Sequence, residues 1–428
     1  MDRKLLRGES IYSVYIRSHS VNGDIQGVIN DLERIKSLGI TILWILPHYE
    51  IGVKARKGGE GSPYSISDYY SVNPDLGGLN DFKELIDKCH QLDIKFLIDI
   101  VFNHTSCDSA LLEEHPNWFV KTADGEHIGK VPHWSDVYDL DFSNRELWNY
   151  FIDVLKYWAD LGVDGFRCDV ASIIPLAFWE MAKDTINSSH RDLIWLAESV
   201  EKEFVSFIRH NGYQCHSDSE LYQVFDILYD YDIQNYLYGY INGEIKFEEF
   251  VKELRNQEVV YPEDYLKLRF LENHDSKLRI AKLIPDIFKL KNWKAFSMFE
   301  KGVPLIYAGE EYKLDHIPNL FEKDPIDWSL GDSDYFKFVK KLLNIDHMYI
   351  VTNGIYTINP LAKDCVHLRY RYNGETLHGI FNFGEKNRHI QVEVLEGEYF
   401  NMIDGEIFYI KSDHLDLSKT PIIFKSVP

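Results

Sequence analysis

Val163-Asp164-Gly165-Phe166-Arg167-Cys168-Asp169 reads as an apolar strand that opens on Gly165 and delivers two opposite charges at its far end. Side chains alternate across a strand, so Arg167 and Asp169 share one face while Phe166 and Cys168 share the other. A strand buried on both sides carries a guanidinium and a carboxylate only where they meet each other or a ligand. A structural ion pair meets that condition as well as a binding site does. The neighbouring strands have to decide between the two.

Working outward, strand and helix patterns alternate over the first 345 residues. Ser10–Arg17 reads as a strand. Asp24–Leu38 reads as a helix with apolar residues at helical spacing (Val28, Leu32, Ile35, Leu38), stopped by Gly39. Ile40–Pro47 and Lys95–Val101 are continuous apolar runs of the kind found in buried parallel strands. A helix near Leu79–Leu92 separates them, and a second helix, Ser143–Leu161, precedes the Val163–Asp169 strand. Leu193–Ser199, Gln223–Leu228, Leu266–Asn273 and Pro304–Gly309 complete eight strands. Eight strands with intervening helices predict an α/β fold, a closed (β/α)8 TIM barrel.

Two stretches depart from that rhythm. The irregular segment from about His104 to Val137 is long enough to be a small inserted domain after the third strand. With the helix that follows, it spans 104–162, leaving 1–103 and 163–345 for the barrel. After Asn344 short alternating runs (Thr376–Phe383, His389–Val394, Ile407–Lys411) are broken by Asn373-Gly374 and Asp404-Gly405 turns. Residues 346–428 are therefore expected to form a C-terminal all-β sandwich. The total of 428 residues agrees with about two to three domains.

The formal charge of −22 argues against nucleic acid or an anionic membrane as partner, since both would be repelled. No apolar run approaches the roughly 20 residues that span a bilayer, and Met1–Gly8 lacks the apolar core of a signal peptide. The five cysteines are scattered, without a CxxC pair, as expected of reduced thiols in a cytoplasmic protein. Tyr and Trp are plentiful, and such rings stack on sugar faces, although most must be core.

A barrel of this kind carries its site where the strands end. The third strand ends in Asp99-Ile100-Val101-Phe102-Asn103-His104, the fourth in Arg167-Cys168-Asp169. The fifth ends in Ala197-Glu198-Ser199, the seventh in Glu272-Asn273-His274-Asp275. One acid at a strand end is commonly a helix cap or a surface charge. Acids from several strand ends, flanked by His104, His274 and Arg167, are harder to explain so. Two carboxyls flanking a glycosidic bond can hydrolyse it, one protonating the leaving oxygen and the other attacking the anomeric carbon or activating water.

These four segments, in this order, resemble the signature regions of the α-amylase superfamily, the family 13 glycoside hydrolases. Gly61-Ser62-Pro63-Tyr64 through Gly77-Gly78 and Gly302 to Glu311 are similar to the family's segments after the second strand and at the eighth. The resemblance implies that Asp169 is the nucleophile, Glu198 the general acid and base, and Asp275 the stabiliser of the transition state. Arg167 would orient Asp169, His104 and His274 would hydrogen-bond the sugar, and Tyr64 would stack beneath it. Asp99 would be structural, holding the Arg167 region. The implied partner is an α-glucan oligosaccharide, cleaved with retention at an α-glucosidic bond, α-1,4 foremost.

Three departures narrow this. Ser172 and Ile173 stand where many α-amylases carry a Lys-His pair that serves the leaving group and a calcium site. The Ser18–Asp24 loop is too short for the acidic calcium loop of some relatives. Asn103 keeps a position that is often a calcium ligand, but calcium takes six to eight oxygens. No cofactor is expected to be required, no metal ligand is assigned, and calcium is left open. Val170-Ala171 is similar to members that act on short maltooligosaccharides, including neopullulanase-type and some α-1,6-cleaving enzymes. The alternatives are a transglycosylase, a sucrose- or trehalose-directed enzyme, or a non-catalytic carbohydrate-binding barrel.

Overall fold

The computed structural model describes residues 3–345, 348–384, 388–417 and 420–427. Eight parallel strands close into a barrel: β1 (Ile11–Val14), β2 (Ile42–Ile45), β3 (Lys95–Ile100), β4 (Gly165–Cys168), β5 (Ile194–Ala197), β6 (Ile227–Tyr229), β7 (Lys267–Arg269) and β8 (Gly302–Tyr307). β8 pairs with β1 through Leu305 opposite Ile11, which closes the ring. The expected (β/α)8 barrel is present.

Side-chain alternation divides each strand between two cores. Trp44, Leu97, Leu196, Ile227, Tyr229, Leu268 and Leu305 fill the interior. Leu43, Phe96, Ile98, Phe166, Trp195 and Leu228 face the surrounding helices. A barrel of eight strands is just wide enough for its inward side chains to fill, so it is a packed core with a site only at its rim. Gly165 on β4 shows how little room is left: a Cβ there would lie 2.3 Å from the carbonyl oxygen of Ile194.

Several boundaries differ from expectation, for local reasons. Ser10–Arg17 is extended only over Ile11–Val14, because Ile16–His19 turns into a short helix. Asp24–Leu38 is two helices, Ile25–Ile29 and Leu32–Leu38, the first capped by the Asp24 side chain on the Gly27 amide. Of the expected strand Gln223–Leu228 only the end is extended, β6 beginning at Ile227. Residues 218–225 form the helix Asp218–Leu221 and turns, started by Ser217, whose amide and hydroxyl both donate to Glu220. β7 likewise spans only Lys267–Arg269 of the expected Leu266–Asn273, and β8 starts at Gly302 instead of Pro304.

Between β3 and β4, His104–Ser106 pairs antiparallel with Val137–Asp139, making a two-stranded ribbon that stands on the barrel rim. The chain then returns through the helix Arg145–Asp160, capped by Asn144, which buries Leu147, Phe151, Leu155 and Trp158 against the barrel. Residues 346 and 347, where the C-terminal domain was expected to begin, lie outside the described residues. Beyond them are two four-stranded antiparallel sheets, β9 (Ile355–Ala362), β10 (Cys365–Tyr372), β11 (Glu375–Asn382) with β16 (Ile422–Ser426), and β12 (Arg388–Gln391), β15 (His414–Leu417), β14 (Ile407–Lys411) with β13 (Gly397–Phe400). Cys365, Ile380, Ile390, Ile410, Leu415 and Phe424 are buried between them. Asn373 and Gly374 both take positive φ, 49° and 83°, as the two-residue turn joining β10 to β11 requires. This domain is seated on the barrel by rings, Trp293 stacking on Phe383 at 3.9 Å.

Gly165→Ala should lower stability by about 1–3 kcal/mol, the usual cost of overpacking a filled core. Urea unfolding would show a lower midpoint with an unchanged slope; an unchanged midpoint would mean that β4 and β5 can part without cost.

Candidate active site

The parallel register of β3, β4 and β5 stacks the site. Asp99 lies opposite Arg167, and Arg167 opposite Leu196. Just past the strand ends the ladder continues: the Asp169 amide donates to the Ile100 carbonyl at 2.8 Å and the Glu198 amide to the Cys168 carbonyl at 3.0 Å. Leu97 and Leu196 point into the barrel, so Asp99 and Glu198, each two residues on, point the same way at its mouth.

Arg167 joins them. Its side chain is 1% exposed, and its Nη1 donates to Asp99 Oδ1 and to Asp169 Oδ1, both at 2.8 Å. Nη2 donates to Glu198 Oε2 at 2.8 Å, and Nε donates to the Tyr229 hydroxyl at 3.2 Å. Trp44, Tyr64 and Tyr229 surround the guanidinium with rings at 5.3–5.7 Å. Planar delocalised charge with several donors in a fixed fork is what this geometry needs, and lysine could not supply it.

One cation cannot balance three buried carboxylates. Burial raises the Glu198 pKa well above its ordinary 4.5; Arg167 pulls it down, while Asp169 and Asp275 push it up further. Glu198 Oε2 already accepts from Arg167 and from the Val170 amide at 2.8 Å, so Oε1 is left to carry the proton. Val170 holds a left-handed conformation, φ 36° and ψ 44°. A β-branched residue rarely adopts it, and here it accompanies an amide aimed at Glu198. Burial also pushes the Asp99 carboxyl up, against the pull of Arg167.

All seven residues singled out from the sequence (Tyr64, His104, Arg167, Asp169, Glu198, His274, Asp275) line one cavity of about 220 Å³. Asp275 does not touch Arg167. The Tyr231 hydroxyl donates to its Oδ2 at 3.1 Å and accepts from the Asn273 amide at 2.8 Å. The Tyr64 hydroxyl and His274 Nε2 are 2.6 Å apart, with the two rings stacked at 5.7 Å. Burial lowers the His274 pKa, with Arg167 adding to the effect and Asp275 opposing it. Asp99 is buried beneath the cavity with no exposed surface, bound to Arg167.

The sequence reading passed over Tyr229 and Tyr231. The rule that sites lie at strand ends would have found them, had Gln223–Leu228 been placed two residues later. It also missed the outer wall, Lys57, Trp134, Asp136 and Phe321. These come from three separate loops with no periodic pattern, and Lys57 and Asp136 meet in an ion pair of 2.7 Å.

The geometry also tests the calcium left open above. Asn103 Oδ1 accepts from Lys130 Nζ at 2.7 Å. Asp139 has one oxygen 3.8 Å from the same ammonium and accepting the Lys130 amide at 2.8 Å; the other, Oδ1, is buried without a partner. These side chains offer one amide and one carboxylate, with a cation already against both. Calcium takes six to eight oxygens, and this donor set does not fit it. Among the described residues no group of three or more His, Cys, Asp or Glu could hold a metal ion.

A closed parallel barrel with three acids at one rim, one of them with its pKa raised by burial, defines a glycosidase of the α-amylase type. Comparison with known families agrees: residues 9–136 and 118–329 match the alpha amylase catalytic domain, and residues 357–424 match the bacterial alpha amylase C-terminal domain. The chain belongs to the α-amylase family, enzymes that hydrolyse glycosidic bonds. It is similar to an alpha-amylase of Lactobacillus plantarum whose crystal structure superposes with a TM-score of 0.96 at 40% identity, covering 99% of this chain and 100% of that one. It is 25% identical over 414 residues to Alpha-amylase 2 of Dictyoglomus thermophilum, covering 91% of this chain and 68% of that protein. Neopullulanase 2 of Thermoactinomyces vulgaris is 25% identical over 345 residues, 76% of this chain and 56% of that protein.

A general acid with a raised pKa sets the alkaline limb of the pH profile. We expect kcat/KM to fall as pH rises through an apparent pKa well above 4.5, the ordinary value for such a carboxyl. With a glycosyl fluoride, whose leaving group needs no proton, Glu198→Gln should keep measurable activity and lose that limb. A limb that persists in the variant would belong to another group.

Proposed function

We propose that this chain is a retaining glycosidase that cleaves α-glucosidic bonds, α-1,4 foremost, in maltooligosaccharides. One observation carries the proposal: Asp169 and Glu198 sit on neighbouring nitrogens of a single guanidinium and face the same cavity as Asp275. Carboxyls held this close favour double displacement. An inverting pair stands farther apart to admit a water between.

In the first step Asp169 attacks the anomeric carbon with Oδ2, since Oδ1 is engaged by Arg167. The glycosidic C–O bond breaks as the C–O bond to Asp169 forms, and the Glu198 Oε1 proton passes to the leaving oxygen. Asp275 and Asp169 face the positive charge that develops on the ring. Water then attacks the anomeric carbon of the glycosyl-enzyme, giving its proton to Glu198 and releasing Asp169. His104, His274 and Tyr64 line the cavity as the groups that hold the sugar.

The cavity volume, the wall made by Lys57, Trp134, Asp136 and Phe321, and the Val170-Ala171 pair after the nucleophile support short oligosaccharides over raw starch. The five buried thiols fit a reducing compartment. We place the enzyme in the cytoplasm on that ground, acting on oligosaccharides that have already been imported. Among the described residues no helix is long and apolar enough to cross a membrane.

Asp169→Asn should remove nearly all turnover of maltotetraose, and Glu198→Gln should lower it by about 10²–10⁴-fold, each with the wild-type circular dichroism spectrum. Proton NMR of the first products should show the α-anomer. Wild-type turnover in either variant, or a β-anomeric first product, would end the proposal. Chromatography of the same reaction separates hydrolysis from transfer, because products longer than the substrate mean that a sugar resolves the intermediate.

A further inference from the structure

Lys130 lies in the segment between β3 and β4, distant in sequence from Asp169, Glu198 and Asp275. Its Nζ donates to Asn103 Oδ1 at 2.7 Å, and the other end of that amide, Nδ2, lies 3.2 Å from His104 Nδ1. An ammonium can only donate, so the amide must present its oxygen to Lys130 and its NH2 to the imidazole. His104 Nδ1 is then an acceptor, and the ring's one proton sits on Nε2. His104 lines the cavity, so it meets the sugar as an N–H donor.

We propose that Lys130 is a positioning residue: its ammonium serves as a built-in cation at the foot of the inserted ribbon, orienting Asn103 and through it fixing the tautomer with which His104 binds substrate. The side chain is 10% exposed, and the same residue ties the insertion to the barrel rim. Its backbone amide donates to Asp139 Oδ2, and Asp139 pairs with His104 across the ribbon. Burial lowers the Lys130 pKa, with Asp139 and Asp141 opposing the shift. The Lys130 Nζ stands between the Asn103 amide oxygen and the Asp139 carboxylate, where those two groups would otherwise face a bound cation.

This rests on the assignment of the cavity to sugar binding, and the tests keep the two apart. Lys130→Met keeps most of the apolar stem and removes the charge. It should lower kcat/KM on maltotriose by on the order of 10-fold, within what a small misplacement of a binding group can cost. In a His104→Ala background the same change should cost less than about 2-fold, because its effect passes through His104. A full additive loss there would mean a merely structural lysine and overturn the proposal. Should the variant fail to fold, the wild-type enzyme still decides. With 15N-labelled histidine, and His104→Gln to assign the signal, His104 should show protonated Nε2 and bare Nδ1. The opposite tautomer overturns the proposal whether or not the enzyme turns over glucans. Chelator should leave wild-type activity and Tm unchanged; loss on chelation with recovery in calcium would show that a metal, and not Lys130, fills this position.

Discussion

The site depends on a guanidinium buried at the mouth of a barrel and shared by three carboxyl groups. Arg167 without its acids, or the acids without Arg167, would leave uncompensated charge away from water, which costs several kcal/mol. Together they still do not balance, since Asp99, Asp169 and Glu198 present more negative charge than one cation answers. Burial raises the pKa of both Glu198 and Asp99 against the pull of Arg167, and Asp169 and Asp275 raise that of Glu198 further. Asp169 and Glu198 share that guanidinium in different surroundings, Glu198 taking the Val170 amide as a further donor.

That constraint reaches outward through the backbone. The parallel register puts Asp99 beside Arg167, and the hydrogen-bond ladder runs one residue past the ends of β4 and β5 to seat Asp169 and Glu198. The strained Val170, directly after Asp169, gives its amide to Glu198. Packing on the inner face leaves no freedom for the strands to slip, since a shift of one residue would turn every acid toward the helices. Rigid strands hold the acids, and loops supply the walls of the cavity. Sites that must keep sub-ångström geometry while varying in specificity commonly divide the work in this way.

The inserted ribbon is held to the barrel by polar contacts at the same rim. His104 begins it, Asp139 pairs with His104 at its other end, and Lys130 connects both to Asn103. A segment of mostly irregular backbone is tied to the barrel next to the cavity by these contacts. His104 therefore stands in the cavity with its ring restrained from behind by Asn103.

Much of this was legible in the amino-acid order. Continuous apolar runs marked the parallel strands, their count marked the barrel, and acids at the ends of those runs marked the rim, because alternation along a strand is a local property. Asp99, Asp169, Glu198, Glu272 and Asp275 stood out on that basis, with His104, Arg167 and His274 beside them, and the family resemblance narrowed the acids to Asp169, Glu198 and Asp275. What depended on contacts between distant loops was not legible. Tyr229 and Tyr231, the Lys57–Asp136 pair and the Lys130–Asn103–His104 chain follow no periodicity, since each joins segments whose approach is decided by packing. Strand ends were also misjudged where short local hydrogen bonds, such as those of Ser217 to Glu220, outweighed strand propensity. Residue order by itself determined the barrel and the chemistry available at its rim. Only the folded chain decided how each acid's pKa is displaced and which side chains line the cavity around it, because burial and charge balance exist only once distant segments are packed together.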